Sequence, residues 1–202
     1  TRYWRDWSSD VCSSDLLRAA EAVGRWRYAA SKLASEDAFD AALDGSGQGA
    51  VHLRFFNVVG PGQDGSTGMV LPRFVEAALR GDPIEVHGDG RQSRCFCDVR
   101  DVVPALPRLL EAPDLRGEIY NIGRDDPIEI GRLAARVRDH LGSSSEIRSI
   151  GYDEVFGEHF EDLRVRRPDL SRIRRAIDFS PRIELESTID DLAAHIRAGA
   201  RA

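Results

Sequence analysis

The sequence predicts an α/β fold with a largely parallel sheet. Short runs rich in β-branched and aromatic residues alternate with longer runs whose apolar positions recur at helical spacing. Gly- and Pro-rich stretches punctuate the alternation. Strands that alternate with helices pack as a sheet covered by helices. At 202 residues the chain is long enough for one domain or a little more.

The elements follow in order. Residues 27–43, RYAASKLASEDAFDAAL, are alanine-rich with apolar positions at helical spacing, and GSGQG stops that helix. AVHLRFF at 50–56 is a strand. NVVGPGQDGSTG is a long Gly/Pro loop. MVLPRFVEAALRG at 69–81 is a helix closed by Gly81. PIEVHGDG is a strand and turn, and SRCFCDV a single strand. DVVPALPRLLEA is a helix, with Asp101 as its N-cap and Pro104 in its first turn. GEIYNIG is a strand, and IEIGRLAARVRDHLG an amphipathic helix ended by Gly142. A strand near 146–150, an irregular charged stretch, a short helix near 171–177 and a last helix near 185–198 complete the chain.

Composition narrows the function. A net charge of −6 argues against nucleic acid as a partner, so an anionic ligand needs a local cluster of positive charge. Cys95 and Cys97 form C-x-C with no second pair and no nearby histidine, which predicts two buried strand cysteines and no metal site. No apolar run approaches the ~20 residues that span a bilayer, and no signal peptide opens the sequence; the expected location is the cytoplasm, with no membrane partner.

Of the 28 basic residues, Lys32 is the only lysine. It stands four residues after Tyr28 in YAASK, which puts both side chains on one helix face. A phenol titrates near 10, too high for a good base at neutral pH. A cation about 5 Å away, at an effective dielectric of about 20, favours the phenolate by roughly 3 kcal/mol. Lysine suits that role as a compact point charge, where arginine is a planar fork. The structural alternative is an ordinary surface pair, and Y-x-x-x-K alone is a weak motif.

With RWRYAASK, LRFFNVVGPGQ, MVLPRF, VHGDGRQSRCF, the aspartate of RDVV, IYNIG and RRPDLSRIRRAIDFSPRIELE in that order, the chain from about Arg25 onward resembles the extended short-chain dehydrogenase/reductase family of NAD-dependent nucleotide-sugar epimerases and dehydratases. The resemblance implies the C-terminal part of a Rossmann-type NAD-binding domain with a smaller substrate-binding α/β lobe. It implies NAD as cofactor, a UDP-linked sugar as substrate and a homodimer. Tyr28 would be the acid/base of the redox step, and Lys32 would hold the nicotinamide ribose. Phe56 would lie by the cofactor and Asn57 would touch the substrate. Arg94 and Arg166 would bind the diphosphate, Asp169 the ribose, and the helix near Met69 to Phe74 would pack the nucleobase. Arginine forks pair well with phosphate oxygens. Asp98, Cys95 and Cys97 depart from the family's usual residues, which touches the fine substrate contacts.

The domain expectation is a non-native tail over 1–16, the NAD-binding part with interleaved substrate-lobe segments over 17–123, and the substrate lobe over 124–202. Asp6 to Leu16, DWSSDVCSSDL, resembles a translated sequencing-library adapter, so the chain is expected to be an incomplete, inactive and aggregation-prone piece of a longer enzyme. The family's Gly-rich phosphate loop and its catalytic serine or threonine have no match here; Ser8, Ser9, Ser13 and Ser14 fall in the adapter-like stretch. The leading expectation is nucleotide-sugar epimerisation of the UDP-glucose 4-epimerase kind. UDP-glucuronate decarboxylation, 4,6-dehydration and a non-catalytic binding module are the alternatives.

Overall fold

The computed structural model describes residues 26–63, 65–112, 118–156 and 163–199, with side chains from Ala30 onward except those of Thr67 and Phe156. Residues 1–25, and with them the adapter-like stretch, lie outside the described residues.

Helix α1 (Trp26–Leu43) leads into strand β1 (Val51–Phe55). β1 pairs in parallel with β6 (Glu118–Ile122), Val51 opposite Glu118 and Phe55 opposite Ile122. Period-two alternation gives β1 two different faces. Val51 and Leu53 pack into a core built from Tyr120 and Ile122 of β6, Ala105 and Leu109 of α4 (Ala105–Glu111), and Ile173 and Ile177 of α7 (Ser171–Ile177). His52 and Arg54, on the other face, meet acids of α1. The β1/β6 pair is thus sandwiched between helices, as a parallel sheet requires.

A second core forms around α2 (Val70–Arg80), whose Leu71, Phe74, Val75 and Ala78 are buried. Against them pack Ile84 and Val86 of β3 (Ile84–His87), Leu133 and Val137 of α5 (Ile130–His140), and Ile189 and Leu192 of α8 (Leu185–Gly199). Gly81 ends α2 in the left-handed conformation (φ 75°), with its N–H on the Ala77 carbonyl. β3 pairs in parallel with β8 (Ile147–Ile150). The two cores interleave along the chain: residues 70–87 join α5 and α8, whereas α7 returns to β6.

Several expectations need correction. The run SRCFCDV is two strands, β4 (Ser93–Cys95) and β5 (Cys97–Asp98), because each pairs elsewhere. β4 joins β7 (Pro127–Glu129) antiparallel and β9 (Val165–Arg166) parallel, while β5 joins β2 (Val58–Val59). β2 and a 3-10 turn at Gly65–Thr67 lie inside the stretch expected to be loop, and β9 and α6 (Tyr152–Phe156) inside the charged stretch expected to be irregular. The helix expected from Asp101 is two helices, α3 (Val99–Val102) and α4. Pro104 supplies no N–H, so the ladder breaks there. The N-cap is Asp98, whose carboxylate accepts from the Arg100 N–H; Asp101 instead accepts from the Ile183 N–H at 3.0 Å.

Cys95 and Cys97 are buried thiols, as expected. Burial raises them to about 11 and about 12 respectively, so both are protonated at neutral pH. Among the described residues no helix is long and apolar enough to cross a membrane.

Candidate functional site

A cavity of about 560 Å³ opens beyond β1, β2 and β4, lined among others by Asn57, Gln63, Arg73, His87, Arg94 and Arg166. Three of the substrate residues expected from sequence, Asn57, Arg94 and Arg166, therefore meet on one surface. The segment Met69 to Phe74, expected to pack a nucleobase, lines it as well.

The two arginines are 72 positions apart in sequence but are direct partners across the parallel β4–β9 pair. Paired residues point to the same side of a sheet, and strands lie about 4.8 Å apart. Arg94 Nη1 is anchored on the carbonyls of Ser93 and Leu163, both at 2.8 Å. The Arg166 guanidinium lies 5.3 Å from the centre of the Phe56 ring. Phe56 is itself buried, so the ring is a fixed platform for that cation. Like charges side by side on a sheet are unfavourable unless something anionic sits between them.

Asn57 follows β1 directly and adopts φ 40°, a left-handed conformation that asparagine tolerates better than most residues. Its Nδ2 donates to the Cys95 carbonyl at 2.9 Å, and its own carbonyl accepts from Cys97 N–H at 3.2 Å. Strand β1 is thereby tied at its carboxyl end to the β4–β5 junction beside Arg94.

His87 and Tyr152 were not found by sequence reasoning, and Arg73 was covered only as part of the Met69 to Phe74 segment. His87 Nε2 accepts from Arg73 Nη2 at 3.1 Å, which puts the ring proton of the neutral imidazole on Nδ1. Burial and then the Arg73 charge lower the His87 pKa, and Glu85 opposes them. Tyr152 packs on Gly88, where an added Cβ would come within 2.4 Å of the ring. The alternation in β3, with Ile84 and Val86 inward and Glu85 and His87 outward, was the available signal.

Below the cavity, Asp98 is a buried carboxylate that accepts from Arg100 Nε and Nη2 at 2.8 Å and from Thr188 Oγ1 at 2.7 Å. Burial alone would raise its pKa, but the Arg100 and Thr188 hydrogen bonds outweigh it and hold the carboxyl low. The network joins β5 and α3 to α8.

The remaining expected site residues are elsewhere. Asp169 lies just before α7, accepting from Ser171 N–H at 2.8 Å, while its backbone carbonyl accepts from Asn121 Nδ2 at 3.2 Å. It is not among the residues lining the cavity. Tyr28 and Lys32 both lie in α1. The Tyr28 side chain is outside the described residues, and Lys32 is exposed. An ion pair and a hydrogen bond dock α1 on β1: Arg54 Nε and Nη2 on Glu36 at 2.8 and 2.5 Å, and His52 Nε2 with Asp40 Oδ1 at 2.8 Å.

Comparison with known proteins identifies the family. A UDP-N-acetyl-alpha-D-glucosaminuronate decarboxylase of Bacillus cytotoxicus is 35% identical over 179 residues, 88% of this chain and 55% of that protein. The UDP-N-acetylglucosamine 4-epimerase of Methanobrevibacter ruminantium M1 superposes with a TM-score of 0.74 at 27% identity, covering 85% of this chain and 54% of its own. A UDP-glucuronic acid 4-epimerase from Bacillus cereus, solved in complex with NAD, shares the fold with a TM-score of 0.70 at 22% identity, covering 85% of this chain and 52% of its own. The chain thus spans about half the length of these relatives. Residues 14–123 match the NAD dependent epimerase/dehydratase family, and the chain belongs to that family, whose cofactor is NAD.

Proposed function

We propose that this chain is part of an enzyme that epimerises a UDP-linked sugar through transient oxidation. The observation that carries the reading is the convergence of Asn57, Arg94 and Arg166 on one cavity at the carboxyl ends of the strands, where open α/β sheets take their ligands. Arg94 and Arg166 offer adjacent cations for a diphosphate, and arginine forks bind phosphate oxygens bidentately. The nucleoside would lie toward Arg73, His87 and the start of α2.

The docking of α1 supports the catalytic assignment. Asp40 pairs with His52 and Glu36 with Arg54, so α1 runs antiparallel to β1. Four helical residues rise about 6 Å and two strand residues about 6.6 Å, so the steps match. Continuing them sets Lys32 level with Phe56, and Tyr28 one step further, past the end of β1. Phe56 and Asn57 are the residues assigned to the cofactor and substrate side. In this reading Tyr28, Lys32 and Phe56 are the groups that would hold the nicotinamide end of NAD. NAD bound there would supply a reversible hydride acceptor for the sugar's carbinol carbon. Tyr28 takes the hydroxyl proton and later gives it back. Lys32 stabilises the phenolate. Asn57 and the two arginines keep the sugar placed while its ring turns between the two steps. We also assign the boundary of the substrate lobe near residue 124, a homodimer, and Asp169 as a ribose ligand to this reading.

A second reading, decarboxylation of a UDP-linked uronate, is favoured by the 35%-identical decarboxylase. Both are tested by incubating the complete enzyme with UDP-glucose and, separately, UDP-glucuronate, and following products by proton NMR. Inversion at C4 of UDP-glucose supports epimerisation. Loss of the carboxylate with a pentose product supports decarboxylation. No change in either sugar, with UDP still bound, would leave a binding module and reject both.

A further inference from the structure

We infer that the Glu36–Arg54 ion pair, with the Asp40–His52 contact beside it, is a positioning device: it fixes helix α1 along β1 in the register that sets Lys32 and Tyr28 toward the carboxyl end of that strand. The inference rests on the proposed roles of Tyr28 and Lys32.

Among the described residues, the inward positions 36 and 40 of α1 are acids that meet Arg54 and His52 of β1. Apolar contacts tolerate sliding, because they are non-directional. A bidentate guanidinium–carboxylate pair does not, since both N–H groups must meet both oxygens. Arg54 and Glu36 make that two-point contact with side chains only 17% and 15% exposed, so water competes weakly for it.

The spacing makes the pair a register mark for the catalytic residues. Tyr28, Lys32, Glu36 and Asp40 recur every four residues, a stripe that winds slowly about the helix. Arg54 is on β1, and Asn57 stands three residues later, just beyond the strand's carboxyl end. The segment that carries the arginine setting the helix therefore leads directly to the asparagine that lines the cavity. A slip of α1 by one residue would move Tyr28 by about 1.5 Å along the helix axis. Misplacement of a reacting group by about 1 Å costs on the order of a hundredfold in rate.

The test is a double-mutant cycle in the complete enzyme: Glu36→Ala, Arg54→Ala and the pair together, with kcat, KM for the nucleotide-sugar, the dissociation constant of UDP and thermal melting measured for each. The expected result is a 10- to 100-fold fall in kcat in either single variant. KM and UDP affinity stay within about twofold, and the double variant is no worse than the poorer single. Unchanged kcat in folded variants overturns the inference. So does a parallel fall in kcat, UDP affinity and melting temperature, which would show a general structural role. Should the alanine variants not fold, Arg54→Lys decides: it keeps the charge and loses the fork, and a drop of 5-fold or more in kcat at constant KM is expected, while wild-type kcat refutes. Tyr28→Phe is run alongside. If it retains full turnover, the catalytic reading has failed, independently of how the Glu36 and Arg54 variants behave.

Discussion

Replacing Arg166 by alanine separates a ligand-binding arginine from a structural one, because the structure gives the two effects different sizes. In the ligand-free protein the substitution removes the Arg166–Phe56 contact, about 0.5–1 kcal/mol for a partly exposed cation–π pair. It also relieves the like-charge apposition with Arg94 across β4–β9, about 0.2–1 kcal/mol in the opposite direction. The two nearly cancel, so the melting temperature should move by no more than ~3 °C in a domain of this size. Binding is different. A charge-assisted hydrogen bond to a phosphate contributes about 1.5–3 kcal/mol, so the dissociation constant of UDP should rise roughly 10- to 150-fold. Arg166→Lys keeps the charge but loses the fork and should fall between. Titration calorimetry of UDP against the complete enzyme, paired with thermal melting without ligand, gives both numbers. UDP affinity within twofold of wild type would refute the diphosphate assignment. A fall of ten degrees or more without ligand would show that Arg166 is structural.

Two further outcomes follow from the surrounding network. Asp98→Ala removes the cap of α3, about 1 kcal/mol, and strands the buried Thr188 hydroxyl, a further ~1–3 kcal/mol, so thermal unfolding should begin roughly 5–15 °C lower; a change under 2 °C would contradict the network's role. His87 binds a proton less readily in the fold than in the unfolded chain, so the unfolded state takes it up first as pH falls below about 6.5. Stability should therefore decline between pH 7 and 5.5 through this group, ahead of the loss from Asp98 and Asp125, whose carboxyls are held low and matter only in more acidic solution. Denaturant titrations of wild type and His87→Gln at pH 7 and 5.5 check this; equal pH sensitivity in the two proteins would contradict it.

What the sequence disclosed and what it hid have physical reasons. α2 and α5 were legible because an apolar stripe and a terminating glycine coincide, as in Leu71, Phe74, Val75, Ala78 and Gly81. β1 and β6 were legible because β-branched and aromatic runs lie between turns. The short strands β2, β5, β7 and β9 were not, since two or three residues carry no period, and each exists only because a distant partner supplies hydrogen bonds. The cap of α3 was misplaced because Asp98 and Asp101 are both plausible caps, and the choice depends on Arg100 and Thr188 closing around the former. Arg94 and Arg166 were singled out by motif context, yet their adjacency could not be read from residues so far apart. His87 and Tyr152 escaped altogether, because a cavity wall drawn from several elements has no local signature. The polar docking of α1 was hidden for the opposite reason: Glu36 and Asp40 look like ordinary surface acids until Arg54 and His52 are seen across from them.

The most direct test of the account is the complete enzyme carrying Tyr28→Phe, assayed for turnover of UDP-glucose and UDP-glucuronate and for UDP binding by calorimetry. The account expects turnover of whichever sugar is the substrate to fall at least a thousandfold, while UDP affinity stays within about twofold, because the phenol oxygen moves the proton and the arginines hold the diphosphate. Turnover persisting near the wild-type rate, or UDP affinity lost together with activity, would contradict it.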